Sequence, residues 1–110
     1  MSGLPRWLPI ANVVVADTSM QPALEPGDRL LVNRWSRPKA GDIVVIRDPE
    51  FRATILVKRV SRQTPSGVEV KGDNPNVSRD SRAFGLVSTK DVIGKAMYRY
   101  QPADRRGRVP

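Results

Sequence analysis

Apolar residues in this chain come in short runs, and glycine and proline punctuate them: ten prolines and eight glycines are spread over 110 residues. That pattern suits strands joined by turns and shows no sustained helical stripe. "NVVVA" (12–16) and "DRLLVNRW" (28–35) are strand candidates on either side of the loop "DTSMQPALEPGD" (17–28). "RPKAG" (37–41) is a turn, and "DIVVIRD" (42–48) is a strand closed by Pro49. "ATILVKRVSRQ" (53–63) pairs with it as a hairpin, and "TPSG" (64–67) turns the chain into a strand over 67–72. A polar loop, "DNPNVSRDSRAFG" (73–85), precedes the last strand, "DVIGKAMYRY" (91–100). Many short strands with little helix imply an all-β fold, a small, partly closed barrel or sandwich of antiparallel strands. A chain of this length supports one core, so residues 1–100 are expected to form one domain. "QPADRRGRVP" (101–110) lacks apolar periodicity and is expected to be a flexible basic tail.

Two residue types are missing. Without cysteine there is no disulfide, thiolate metal site or catalytic thiol. Without histidine there is no Ser-His-Asp triad and no imidazole base, and most zinc sites are excluded. No metal and no cofactor are expected. The net charge of +8 suits an anionic partner, but the basic residues are scattered and only two each of Trp, Tyr and Phe are present for base stacking. Nucleic acid is therefore not the expected partner. The opening "MSGLPRWLPIANVVVA" is broken by Pro5, Arg6, Pro9 and Asn12. It is too interrupted for a span of about 20 apolar residues or for a signal peptide's hydrophobic region. Trp7 and Leu8 are expected to pack on the domain, with loose membrane contact as their other use.

One lysine stands where a core residue belongs. Alternate strand residues face opposite ways, so Lys58 shares a face with Leu56 and Val60, while Arg59 shares the wetter face of Val57 and Ser61. Burial disfavours the ammonium form, so such a lysine can supply a neutral amine; arginine cannot. The ordinary alternative is a lysine whose stem lies along the strand with its head in water. The candidate partner is Ser19, which leaves a valine-rich strand at the start of a turn. A serine with a desolvated lysine base is a known variant of triad chemistry, whereas a plain turn serine needs no partner at all.

Four blocks in order resemble the signal peptidase I family of Ser-Lys peptidases: "SMQPALEPGD" (19–28), "GDIVV" (41–45), "VKRV" (57–60) and "GDNPNVSRDSRAFG" (72–85). The likeness runs from about Val13 to Lys95. It implies that Ser19 is the nucleophile, Lys58 the general base, and Ser78 the hydroxyl that orients the amine, with Asp80 and Arg82 as a supporting ion pair. Gly72 and Gly85 would serve backbone turns. Where the family often has a serine or glycine two residues before the nucleophile, this chain has Asp17, an acceptor where an oxyanion donor is wanted. The small size is similar to that of the nickel-type superoxide dismutase maturation proteases, which remove a leader from one precursor.

The resemblance implies a serine endopeptidase whose partner is the leader peptide of a precursor protein. An extended leader is expected to pair with the strands before Ser19 and Lys58, with Val15, Ala16, Met20, Leu56 and Val57 forming shallow pockets for small side chains. With no export signal or anchor in view, the expected location is the cytoplasm, with peripheral membrane association as a variant. A LexA-like self-cleaving protein shares the Ser-Lys pair, but the chain's Ala-Gly dipeptide, Ala40-Gly41, lies downstream of Ser19. The alternative of another class is a basic β-barrel that binds nucleic acid or anionic lipid.

Overall fold

A computed structural model describes residues 8–110. The packing expected of Trp7 lies outside them. Eight strands form one antiparallel sheet: β1 (Ile10–Val14), β2 (Arg29–Asn33), β3 (Ile43–Arg47), β4 (Ile55–Thr64), β5 (Gly67–Lys71), β6 (Val87–Ser88), β7 (Val92–Gln101) and β8 (Gly107–Arg108). Their order is β1-β2-β7-β3-β4-β5-β6, with β8 added to β7. One short helix, α1 (Ser81–Phe84), interrupts the polar loop before β6. The expected all-β class is what the chain adopts: a curled antiparallel sheet, half a barrel.

The curl comes from the two ten-residue strands. β4 pairs with β3 through Ile55–Arg59 and with β5 through Arg59–Thr64, with an irregularity between Val60 and Arg62 that turns it. β7 likewise joins β2 to β3 and carries β8. The continuous apolar run of β3 follows from its central place. Ile43 and Val45 enter a cluster with Val15, Met20, Leu24, Leu30, Val32 and Ala96, while Val44 and Ile46 enter a second with Val60, Val68, Val70 and Val87. A strand buried on both faces reads as unbroken hydrophobicity rather than alternation.

The opening loop is tied at its base. Val15 N–H donates to Asp28 O at 2.9 Å and Gly27 N–H to Val15 O at 2.8 Å, which extends the β1–β2 ladder past its last strand residue. Gly27 closes the turn at φ 91°, a backbone conformation that side chains disfavour. The last ten residues, expected to be loose, are held in the structure. β8 pairs Gly107 with Arg99 and Arg108 with Tyr98, and Arg105 donates to the buried Asp28 at 2.9 Å. Backbone pairing, a charge pair and the packing of Val109 against the first core cluster hold this segment, and one apolar residue leaves no period.

Candidate active site

Lys58 is the largest of the fully buried side chains, at 2% exposure. Its stem lies on the β4 face that holds Val60 and the half-buried Leu56, opposite Val44 of β3. Nζ donates to Ser78 Oγ at 3.0 Å. Burial pushes the Lys58 pKa down; the carboxylates of Asp17 and Asp80 oppose that, and Arg82 adds to it.

Ser78 passes the connection on. Its hydroxyl donates to Asp80 Oδ2 at 2.9 Å, which leaves its oxygen free to accept from Lys58. Asp80 has no exposed surface and caps α1. Burial alone would raise its pKa. Donation from the Arg82 side chain, from Gly72 N–H at 2.9 Å, from Ser78 and from Arg82 N–H holds the carboxyl well below the usual carboxylate range. Arg82 meets it through Nε and Nη2, both at 3.0 Å. The chain of contacts Lys58–Ser78–Asp80–Arg82 therefore fixes the amine from one side with a carboxylate that stays ionised.

Gly72 joins this group to the Ser19 segment. Lys71 stands opposite Arg59, so the next residue, Gly72, runs alongside Lys58. A Cβ on Gly72 would collide with the Ser78 side chain and lie 2.7 Å from Ser19 O. The missing side chain is the space in which Ser78 reaches the lysine and the Ser19 loop packs down. Asn74 seals the contact: its N–H donates to Ser19 O at 2.8 Å and its Nδ2 to Thr18 O at 3.3 Å. Ser19 is 3% exposed, and its own N–H donates to Asp17 Oδ1 at 3.0 Å. Lys58, Ser78, Asp80 and Arg82 thus form one hydrogen-bonded group, and Gly72 and Asn74 bring the Ser19 backbone beside it. A buried amine with a single hydroxyl acceptor is suited to take a proton rather than to pair with an anion.

The expected pocket residues do not gather in the same way. Met20 and Val15 sit in the first core cluster at 1% and 3% exposure, so neither forms a lip. Leu56 packs toward the second cluster and Val57 toward the first, on opposite faces of β4. Ala16 is exposed. The open apolar side chains adjacent to these positions in sequence are Val14 and Ile55. Gly72 and Asn74 are the contributors whose structural part the sequence did not disclose. Among the described residues no three His, Cys, Asp or Glu side chains are grouped to hold a metal ion.

A profile of the family described as "Signal peptidase, peptidase S26" matches residues 1–71 and 62–101. The chain is 31% identical to mitochondrial inner membrane protease subunit 2 of Schizosaccharomyces pombe, over 97% of this chain and 78% of that protein. It is 29% identical to probable signal peptidase I-1 of Synechocystis, over 96% of this chain and 74% of the relative. A Staphylococcus aureus protein named inactive signal peptidase IA is 24% identical over 84% of this chain and 80% of its own length.

The relatives correct one expectation. Several are named for the mitochondrial inner membrane, and that overturns the cytoplasmic assignment. The assignment rested on the want of a spanning segment. Among the described residues no helix is long and apolar enough to cross a membrane, and that does not decide at which surface a peptidase works.

Proposed function

The chain belongs to the signal peptidase, peptidase S26, family, and on that premise we propose that it is a serine endopeptidase that removes a leader from a precursor protein, with Ser19 as nucleophile and Lys58 as general base. The observation that carries this reading is the burial of Lys58 against a single hydroxyl, Ser78. A solvated lysine would be protonated at neutral pH and useless as a base.

In this reading Ser19 Oγ attacks the scissile carbonyl carbon and its proton passes to the Lys58 amine. The ammonium then protonates the departing nitrogen, and the leader remains as an acyl ester on Ser19. Water, deprotonated by the same amine, releases it. Ser78 orients the amine, and Asp80 with Arg82 holds Ser78. The leader binds as an added strand. β1 stands at the end of the sheet, and β5 is registered with Arg59–Thr64 but not with Ile55–Lys58. Both flanking strands therefore keep an edge for an extended peptide, and Val14, Ala16 and Ile55 are the side chains open to it. We set its work at a membrane surface, where the net charge of +8 favours anionic lipid.

The test is cleavage of leader-bearing precursors, the nickel-type superoxide dismutase precursor among them, with the new N-terminus read by sequencing. Ser19→Ala and Lys58→Met should each abolish a cut that the native enzyme makes. A Ser19→Ala enzyme that cuts as fast as the native one would overturn the reading.

A further inference from the structure

In the resting enzyme the Ser19 backbone N–H is already engaged: Asp17 Oδ1 accepts from it at 3.0 Å. In acyl transfer the nucleophile's own N–H is placed to donate to the oxygen that becomes negative. A carboxylate at that spot sets an acceptor where the reaction wants a free donor, and adds a negative charge where another must develop.

Asp17 is also less committed than the other carboxylate near the site. Asp80 is buried, and its two oxygens receive donors from Gly72, Ser78 and Arg82. Asp17 is exposed on the loop after β1, and its Oδ1 accepts from the Ser19 N–H. The charged groups that bear on Lys58 are Asp17 from that loop and Asp80 and Arg82 from the segment after β5. Of these, Asp17 is the one that touches the Ser19 backbone and stands exposed.

We propose that Asp17 is a built-in cap on the oxyanion donor, a positioning residue that holds the Ser19 N–H in the resting enzyme and must release it to the carbonyl oxygen of the arriving leader. The proposal rests on Ser19 as nucleophile. Its rival is an Asp that merely shapes the turn by bonding to the N–H two residues on, a common use of this side chain. Asparagine serves a turn equally well but is a weaker, uncharged acceptor, so the two uses separate.

The experiment is the labelling rate of the purified chain with an alkyl fluorophosphonate. Ser19 Oγ forms the O–P bond, its proton passes to the Lys58 amine, fluoride leaves, and the phosphoryl oxygen draws on the Ser19 N–H. Asp17→Gly should label about tenfold faster, the worth of one competing hydrogen bond, with Asp17→Asn in between. The rising limb of rate against pH should move to lower pH in both variants, because Lys58 loses a neighbouring anion. Native-like labelling in Asp17→Asn with slower labelling in Asp17→Gly would make Asp17 a turn residue and overturn the proposal. Asp17→Asn keeps the turn, so a poorly folded Asp17→Gly does not spoil the decision. Labelling of Ser19→Ala at the native rate would instead overturn the nucleophile assignment itself.

Discussion

Lys58 Nζ and Ser78 Oγ lie 3.0 Å apart with the lysine 2% exposed, so a long cationic side chain ends on a neutral hydroxyl inside the protein. Its neighbours along β4 and across to β3 are apolar. Such a placement costs stability, because burial disfavours the charged amine.

That cost yields the first prediction. The Lys58 pKa is lower in the folded chain than its ordinary 10.5, so the unfolded chain holds the proton more readily. Folding is therefore penalised most at low and neutral pH, and the penalty fades as pH rises toward the ordinary value. Lys58→Met should abolish cleavage yet raise the melting temperature, with the gain shrinking as pH rises from neutral toward 10.5. Lys58→Arg should be inactive and less stable, since a guanidinium cannot shed its charge. Thermal melts across that pH range check both.

Ser78 and Asp80 should separate by their pH behaviour. Ser78→Ala removes the acceptor that aims the amine, and kcat should fall about 10- to 100-fold with little change in KM. Asp80→Asn should do similar harm to the rate and also destabilise the fold. The folded Asp80 pKa lies below its ordinary 3.8, so its stabilisation is present above that value and is lost as pH falls. The stability gap between native protein and Asp80→Asn should then narrow in acid, which urea melts at a series of pH values would show. A gap independent of pH would deny Asp80 its charged role.

Gly72 is constrained by space and not by its backbone angle. An added methyl would meet Ser78 and lie 2.7 Å from Ser19 O, so Gly72→Ala must push apart the two segments that form the site. Overpacking of this kind costs about 1–3 kcal/mol. The expected result is a folded but less stable protein with its Ser19 labelling rate reduced by at least about tenfold. A native labelling rate in Gly72→Ala would show that the two segments need not touch.

The lysine was legible because strand alternation is local: Leu56, Lys58 and Val60 declare their shared face within five residues of sequence. The hairpin of β3 and β4 was legible for the same reason. Gly72 was not, because its close approach to Ser19 depends on pairing between distant segments. Met20 follows Ser19 in a polar loop, which suggests a pocket residue, yet it is buried. The loop folds back, Leu24 N–H donating to Met20 O at 3.0 Å, and carries both side chains into the core. Two-residue strands such as β6 and β8 are too short to leave a period.

Leader binding should depend on the exposed apolar residues beside the open strand edges, not on the buried ones named from sequence. Val14 and Ile55 are 48% and 46% exposed. Val14→Asp or Ile55→Asp should raise KM about tenfold, the worth of one well-covered aliphatic side chain, and leave kcat near native. Unchanged KM in both variants would move the leader elsewhere on the surface.

The last prediction concerns Arg79, which lies between Ser78 and Asp80 in sequence but serves the opposite side of the loop. Its guanidinium pairs with the fully buried Asp48 and, at 2.6 Å, with Glu50. It also stands 5.2 Å from the ring centres of both Phe51 and Phe84. Arg79 thus latches the Ser78–Phe84 segment to the turn after β3. Asp48 keeps two backbone donors, Glu50 N–H at 2.8 Å and Phe51 N–H at 3.1 Å, so loss of the arginine leaves it only partly unpaired. Arg79→Ala should therefore cost about 1–2 kcal/mol, a melting temperature lower by several degrees. Arg79→Lys should recover part of that, because an ammonium can meet Asp48 but cannot span both rings. With the latch gone Ser78 should be less well held, so kcat should drop several-fold while KM stays near native. A loss of stability in Arg79→Ala with kcat unaltered would show that the latch holds the fold without aiming Ser78.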